Sequence, residues 1–310
     1  MTTQRKRWGA LLAAPLLVGT LAACDPPPPP PVFHVDATDD RHDAAPGDGV
    51  CATTVETCTL NAAVEEASAL GRGEVLVPPG EYDELAVHVE GHVTVRTDAP
   101  GDPTAYASVA DLVVGVADDA TLLLRDLELG DGLGHGEGIL AGGTLVAVRV
   151  AVAGQVGVGG AALIIGSLVG DGVFAGPGSD LHVQASTLVA SADGPALLLD
   201  GGAVTLGGTA LLGDGVAVCT VEAGAPAATS IAPNLASDDS CNLTGPGDVN
   251  GSPDDDGALF PSPGSPRIDA IPVGTLGCGT TLVSDIRGAV RPTDGDGDGV
   301  AACDIGAWER

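Results

Sequence analysis

One short apolar phrase returns five times between Leu122 and Leu211, and it constrains the fold more than any other feature of this chain. The phrase is an anchor residue and the positions two, five and seven after it. Its copies are Leu122/Leu124/Leu127/Leu129, Leu145/Ala147/Val150/Val152, Leu163/Ile165/Leu168/Gly170, Leu181/Val183/Ser186/Leu188 and Val204/Leu206/Thr209/Leu211. Successive anchors lie 23, 18, 18 and 23 residues apart. Residues two apart share one face of a strand, and the odd step from two to five marks a corner. A repeat of roughly 20 residues with two short strands, Gly-rich turns and no helical period describes one coil of a solenoid. One coil cannot bury its own apolar stripe, but coils stacked ~4.8 Å apart share a continuous core. The expected architecture is all-β, a right-handed parallel β-helix.

Composition agrees with tight corners and small inward side chains: 47 residues are Gly and only 2% are aromatic. Charge excludes some partners. The chain carries 42 acidic against 12 basic residues. Three of the basic residues, Arg5, Lys6 and Arg7, sit at the extreme N-terminus, and every one after them is Arg. Such a surface repels nucleic acid and anionic headgroups and favours divalent cations or neutral partners.

The N-terminus reads as an address. Arg5-Lys6-Arg7 is a basic n-region, and Ala10 to Thr20 is an apolar h-region of secretory length. Leu21-Ala22-Ala23-Cys24 then resembles the lipobox of bacterial lipoproteins. That resemblance implies removal of residues 1–23 as a signal peptide, lipidation of Cys24 and attachment to the bacterial cell envelope. Asp25 resembles an inner-membrane retention signal of enteric bacteria, so the periplasmic face and the cell surface both stay open. Pro26 to Pro31 complete a spacer through residue 32, ~19 Å long at ~3.1 Å per residue of polyproline.

Residues 33–82 read as a cap. Leu60, Ala63, Val64, Ala67 and Leu70 fall on one face at helical spacing, with Thr59 as N-cap and Gly71 as the stop. A short amphipathic helix here would cover bare strand edges at the open end of a solenoid. The run Pro46-Gly47-Asp48-Gly49-Val50-Cys51, the helix start Cys58-Thr59-Leu60-Asn61-Ala62-Ala63 and the turn Pro79-Gly80-Glu81-Tyr82 resemble the CSLREA domain of bacterial secreted β-helix proteins. Thr59, Asn61 and Ala62 depart from that pattern, and the expectation places them on the exposed face of the helix.

Residues 83–218 should hold the coils. The positions after each anchor, Leu123, Val146, Ile164, His182 and Thr205, should face outward, as should Glu128, Ala151, Val169, Thr187 and Ala210. Covering of the apolar part by another segment of the chain, or by a partner, are the two readings of that face. Asp131-Gly132, Asp171-Gly172, Asp193-Gly194 and Asp214-Gly215 read as turns first and as a calcium ladder second. His135 and Glu137 sit together in a glycine-rich loop. Arg125, Asp126, Glu128 and Arg149 form an enzyme-like charge cluster that reads more simply as an ion-pair network between coils.

Residues 219–310 read as a closing segment. Pro263-Gly264-Ser265-Pro266-Arg267-Ile268-Asp269-Ala270, Asp285-Ile286-Arg287-Gly288, Arg291-Pro292 and Cys303-Asp304-Ile305-Gly306-Ala307-Trp308-Glu309 are similar, in order, to the choice-of-anchor Q domain. Asp294, Asp296 and Asp298, with Gly299 at position six, begin like an EF-hand-type calcium loop. The twelfth position is Ile305, and Asp304 sits one early, so calcium would need Asp304, a backbone carbonyl and water to complete its shell. Apart from Cys24, six cysteines remain, an even number that fits an oxidising compartment. Of their possible pairings, proximity favours Cys51–Cys58, Cys219–Cys241 and Cys278–Cys303.

Two functions compete at this level. One is a non-catalytic surface lipoprotein presenting its β-helix for adhesion or for glycan or protein binding. The other is a polysaccharide lyase or hydrolase, because the fold is similar to that of pectin lyases. A hydrolase needs clustered carboxylates and a lyase a basic residue beside them, and the outward positions above supply neither. The non-catalytic reading is therefore preferred.

Overall fold

The computed structural model describes residues 28–99, 106–130, 138–213, 215–252 and 259–310. The expected signal peptide and Cys24, and Asp131, Gly132, His135, Glu137 and Asp214, lie outside the described residues.

The chain is a parallel β-solenoid of about seven turns with one helix at its start. β1 (Val32–His34) and α1 (Leu60–Ala69) precede β2 (Arg72–Val77), β3 (Gly80–Val89), β4 (His92–Thr97), β5 (Ala107–Val116) and β6 (Thr121–Leu129). Next come β7 (Gly138–Ala141), β8 (Thr144–Val152), β9 (Gln155–Val158), β10 (Ala161–Ile165), β11 (Leu168–Val169) and β12 (Val173–Ala175). The later coils hold β13 (Asp180–Gln184), β14 (Thr187–Val189), β15 (Leu197–Leu199), β16 (Ala203–Gly207), β17 (Ala210–Leu212) and β18 (Cys219–Val221). β19 (Thr229–Ser230) and β20 (Leu235–Ala236) end the stack. Pairings between these strands are parallel throughout.

Each coil has three faces rather than the two strands read from the repeat. The first face stacks β2, β4, the starts of β6 and β8, then β10, β13, β16 and β19. The second stacks the starts of β3 and β5, the ends of β6 and β8, then β11, β14, β17 and β20. The third stacks the ends of β3 and β5, then β7, β9, β12, β15 and β18. Its inward pairs, such as Ile139/Ala141, Val156/Val158 and Val173/Ala175, follow loops of unequal length, which blurs their period in the sequence. Stacking also begins before residue 83 and continues past residue 218, through β2 at one end and β20 at the other.

The third copy of the phrase is shifted by one residue. Ala162, not Leu163, pairs with Leu145 and Leu181, and Ile164 pairs with Ala147 and Val183. The inward set is Ala162, Ile164, Ser167 and Val169; Leu163, Ile165 and Leu168 are half-exposed. Ile164 and Val169 are thus core residues and not outward ones. A one-residue slip moves a whole strand to the other face, so the phase matters.

The corner between the first and second faces decides that phase. The residue four after each true anchor has positive φ: Asp126 (57°), Arg149 (52°), Gly166 (58°), Ala185 (47°) and Gly208 (65°). The next residue turns inward, and in the later coils it is polar: Ser167, Ser186, Thr209 and then Asn234, all buried. Ser167, Ser186 and Asn234 each accept an amide of the preceding coil through the side-chain oxygen, and Thr209 Oγ1 instead donates to Val183 O of that coil at 3.2 Å. Ser167 Oγ takes Val150 N at 3.1 Å, Ser186 Oγ takes Ser167 N at 3.1 Å, and Asn234 Oδ1 takes Thr209 N at 2.9 Å. A backbone turned out of its ladder at the corner finds its acceptors there.

At the N-terminal end α1 packs over β2 and β3. Thr59 caps it as expected, accepting from Ala62 N at 3.1 Å. Two expectations fail. Leu70 is the C-cap and is exposed, and Thr59, Asn61 and Ala62 are fully buried rather than on the outer face. Asn61 donates to Asp40 O and accepts from Ala86 N, while Glu66 accepts from Gly47 N and Gly49 N. The helix therefore ties the preceding loop to the first coil through buried polar groups. The disulfides Cys51–Cys58, Cys219–Cys241 and Cys278–Cys303 form, in the pairing that proximity favoured.

Residues 259–310 have almost no regular structure and lie across the second face and its corner. Gly306 N donates to Gly208 O at 2.8 Å, and Ala307 N donates to Thr187 Oγ1 at 2.9 Å. Ile286, Ala307 and Trp308 pack on Ala151 and Leu168, while Ile271 and Ile305 pack with Ala210, Leu212 and Leu235. Thr187 and Ala210 point away from the core of the coils, yet both are buried. Of the two readings of the outer apolar surface, covering by the chain itself is what the second face shows.

Candidate functional site

Among the described residues, four places combine chemistry-bearing side chains. The first is the acidic loop. Asp294 and Asp296 meet Asp269, with one carboxylate oxygen from each lying within 4.8 Å of the others. Asp298 and Asp304 are not part of that group. Asp298 accepts from Val300 N at 2.7 Å, and Asp304 is buried with both oxygens engaged, by Asp269 N and Arg310 N. Asp294 accepts from Gly297 N and Gly299 N, while Asp269 accepts from Gly295 N, Asp296 N and Ala302 N. The loop is folded by its own carboxylates, and the expected partner Asp304 serves the interior.

The second place is that interior. Asp285 accepts from Arg287 N, Ala289 N and Glu309 N, and Glu309 accepts from Thr293 N and Asp304 N. Arg291 is fully buried, with Nε 3.1 Å from Glu309 Oε2 and Nη2 donating to Gly306 O at 2.7 Å. Arg267, also fully buried, donates to Ile305 O and Leu259 O. Burial pushes the Glu309 carboxyl up to about 7, against the pull of Arg291. It also raises Asp304 above the ordinary carboxylate range and lowers Arg291, whose guanidinium still stays charged. These groups replace the missing backbone ladder of the segment and are closed to solvent.

The third place, the charge cluster of the coils, is likewise structural. Arg149 reaches back one coil and holds Asp126 with two bonds, Nε–Oδ1 at 2.6 Å and Nη2–Oδ2 at 2.9 Å. Arg125 stands 4.0 Å from Asp126. Tyr106 donates to Ile286 O, and burial raises its hydroxyl to about 12. An ion-pair network between coils is what the geometry shows.

The fourth place was not singled out from the sequence. A groove of about 590 Å³ runs along the third face. Its main outward column is His88, Gly115, Leu140, Gly157, Phe174, Leu198 and Thr220, one residue per coil. Leu140 is 69% exposed and Val113, in the adjoining column, 53%. A Cβ at Gly157 would stand 2.7 Å from Leu140 Cδ1, and one at Gly115 the same distance from His88 Nδ1. These glycines let Leu140 and His88 lie along the solenoid axis. Gln155 lines the groove, as do Asp171, Ser191 and Asp193 from two successive coils. Among the described residues that line it, none is Lys or Arg and none comes from the closing segment. The signal that could have found it is an outward column in which glycine alternates with a large side chain. Only the third-face register, hidden by unequal loops, reveals that column.

No protein-family profile matches the chain, and neither a curated protein nor a solved structure does. No family match supports the CSLREA-like or choice-of-anchor Q-like resemblance. Three disulfides are compatible with an extracellular or periplasmic protein.

Proposed function

We propose that this chain is a non-catalytic lipoprotein of the bacterial cell envelope that presents the third face of its β-helix to a glycan or a surface protein. Cys24 is the lipid attachment point, and the proline spacer holds the body off the membrane. The observation that carries the reading is the contrast between faces. The second face is covered by the chain's own closing segment, whereas the third keeps exposed Leu140 and Val113 beside a groove with polar edges. Such a combination of apolar floor and a few placed polar groups is how ligand sites are built. The Asp269/Asp294/Asp296 cluster is the place where calcium would act on this protein, by fixing the fold of the loop.

A second reading has one observation in its favour. Asp171 and Asp193 come from successive coils to line the same groove, and paired carboxylates are what glycoside hydrolysis requires. A lyase has less support, because no basic side chain is among the described residues that line the groove.

A glycan array probed with the full-length chain, with calcium and with chelator, tests both. Binding without shortened products supports presentation. Shortened products that disappear in Asp171→Asn support the hydrolase, and no binding to any glycan removes the glycan arm of the proposal. Metabolic labelling with palmitate, abolished by Cys24→Ala, tests the anchor.

A further inference from the structure

Resting on the presenting role just described, we propose that the groove takes an extended, uncharged, β-linked polysaccharide lying along the solenoid axis. Alternate rings of that chain would stack on Leu140 and Phe174.

Leu140 and Phe174 are separated by one glycine-bearing coil, and Gly115 lies one coil before Leu140. With ~4.8 Å per coil, Leu140 and Phe174 stand ~10 Å apart along the axis. In an extended β-1,4-linked chain each ring is turned over relative to the last, so the same sugar face recurs every second ring at about that distance. Leu140 lies flat over Gly157 and offers its broad side to solvent. Phe174, half-buried in the next large position, offers part of an aromatic ring. Apolar faces of sugar rings stack on such surfaces.

Charge then selects the polymer. Among the described residues, the ionisable groups lining the groove are the carboxylates of Asp171 and Asp193, in a chain of net charge −30. A polyuronate or other polyanion is repelled from such a surface. Gln155, Ser191 and the two Asp carboxylates are donors and acceptors suited to hydroxyl and N-acetyl groups. The lining residues run from Val113 in β5 to the loop after β14, four coil steps, or ~19 Å at ~4.8 Å each. That length accommodates four rings.

The test is titration calorimetry of the full-length chain in a non-glycosidic detergent. The probes are cello-oligosaccharides and N-acetylchito-oligosaccharides of two to six rings, with oligogalacturonates as the charged comparison. Affinity for one neutral series should rise at least tenfold from the disaccharide to the tetrasaccharide and then level off. Phe174→Ala and Leu140→Asp should each weaken the tetrasaccharide at least tenfold, while Val290→Asp, exposed on the closing segment, should leave it unchanged. Both groove positions reach solvent, and an unchanged melting curve will show that the variants fold. Tighter binding of oligogalacturonates, or neutral binding that neither groove variant weakens, overturns the assignment. Capture of an envelope protein with no saccharide bound also overturns it, but leaves the presenting role standing.

Discussion

The coils and the closing segment both bury polar groups, and they do so by opposite rules. In the coils most buried polar residues are short and uncharged: Ser167, Ser186, Thr209 and Asn234 form a ladder on one corner, each serving the coil before it, while the buried carboxylate of Asp126 is held by Arg149 of the next coil. In residues 259–310 they are charged: Arg267, Asp285, Arg291, Asp304 and Glu309 are all nearly inaccessible. A periodic backbone satisfies its own amides everywhere except at corners, where a hydroxyl suffices. An aperiodic one leaves amides throughout, and a carboxylate that accepts two or three of them is the compact remedy. The coils therefore draw stability from apolar burial at ~25 cal/mol per Å², while the segment depends on pairing its charges.

The largest test of this contrast is placed inside the coils. Ile164→Asp should cost on the order of 4 kcal/mol or more, because it buries a carboxylate with no partner. Leu163→Asp, one residue earlier but half-exposed, should cost under about 1 kcal/mol in urea unfolding. Equal costs would break the register given to the third copy. Next comes the segment. Arg291→Met should cost about 3–5 kcal/mol by stranding Glu309, and the double variant with Glu309→Leu should recover most of it. Limited proteolysis should show the damage confined to residues 259–310. Replacing both Cys278 and Cys303 by Ala should cost about 2–4 kcal/mol, again within the segment.

The smallest expected effect is on pH dependence. Glu309 is held at about 7 in the fold against its ordinary 4.5, so between those values the folded chain carries a proton that the unfolded chain lacks. Its contribution to stability is complete below about 4.5 and is lost as pH rises through about 7; Asp304 acts in the same direction. Hydrogen exchange in residues 259–310, corrected for the intrinsic rate, should be slower at pH 5 than at pH 8, and Glu309→Gln should flatten the difference. Faster exchange at pH 5 would contradict the burial assigned to these carboxylates.

Much of this was legible in the residues, and the failures are instructive. The inward phrase at Leu122, Leu145, Leu181 and Val204 is written with clear alternation, so those strands follow directly. Ala162-Leu163-Ile164-Ile165 is apolar throughout, and period two fits it in both phases. The missing cue was the corner: Gly166 occupies the place of Asp126 and Arg149, which fixes the anchor at Ala162. Asn61 misled for a different reason. A polar residue on a short helix reads as exposed, and only the loop from Asp40 to Gly49, folding back over it, makes burial necessary. In the acidic loop, spacing grouped Asp304 with Asp294, but Asp304 turns to the amides of Asp269 and Arg310, and Asp269 comes from a distant turn. Spacing carries no information on such long-range replacements. The groove escaped because loops of unequal length hide the third-face period.

The proposed ligand face is the third, while the second is covered by the chain itself. Hydrogen–deuterium exchange of the full-length protein, with and without a saturating neutral oligosaccharide that it binds, tests this most directly. The account predicts new protection in Gly138–Ala141, Gln155–Val158 and Val173–Ala175, with residues 259–310 unchanged. Protection confined to residues 259–310, with the third-face strands unaffected, would contradict it.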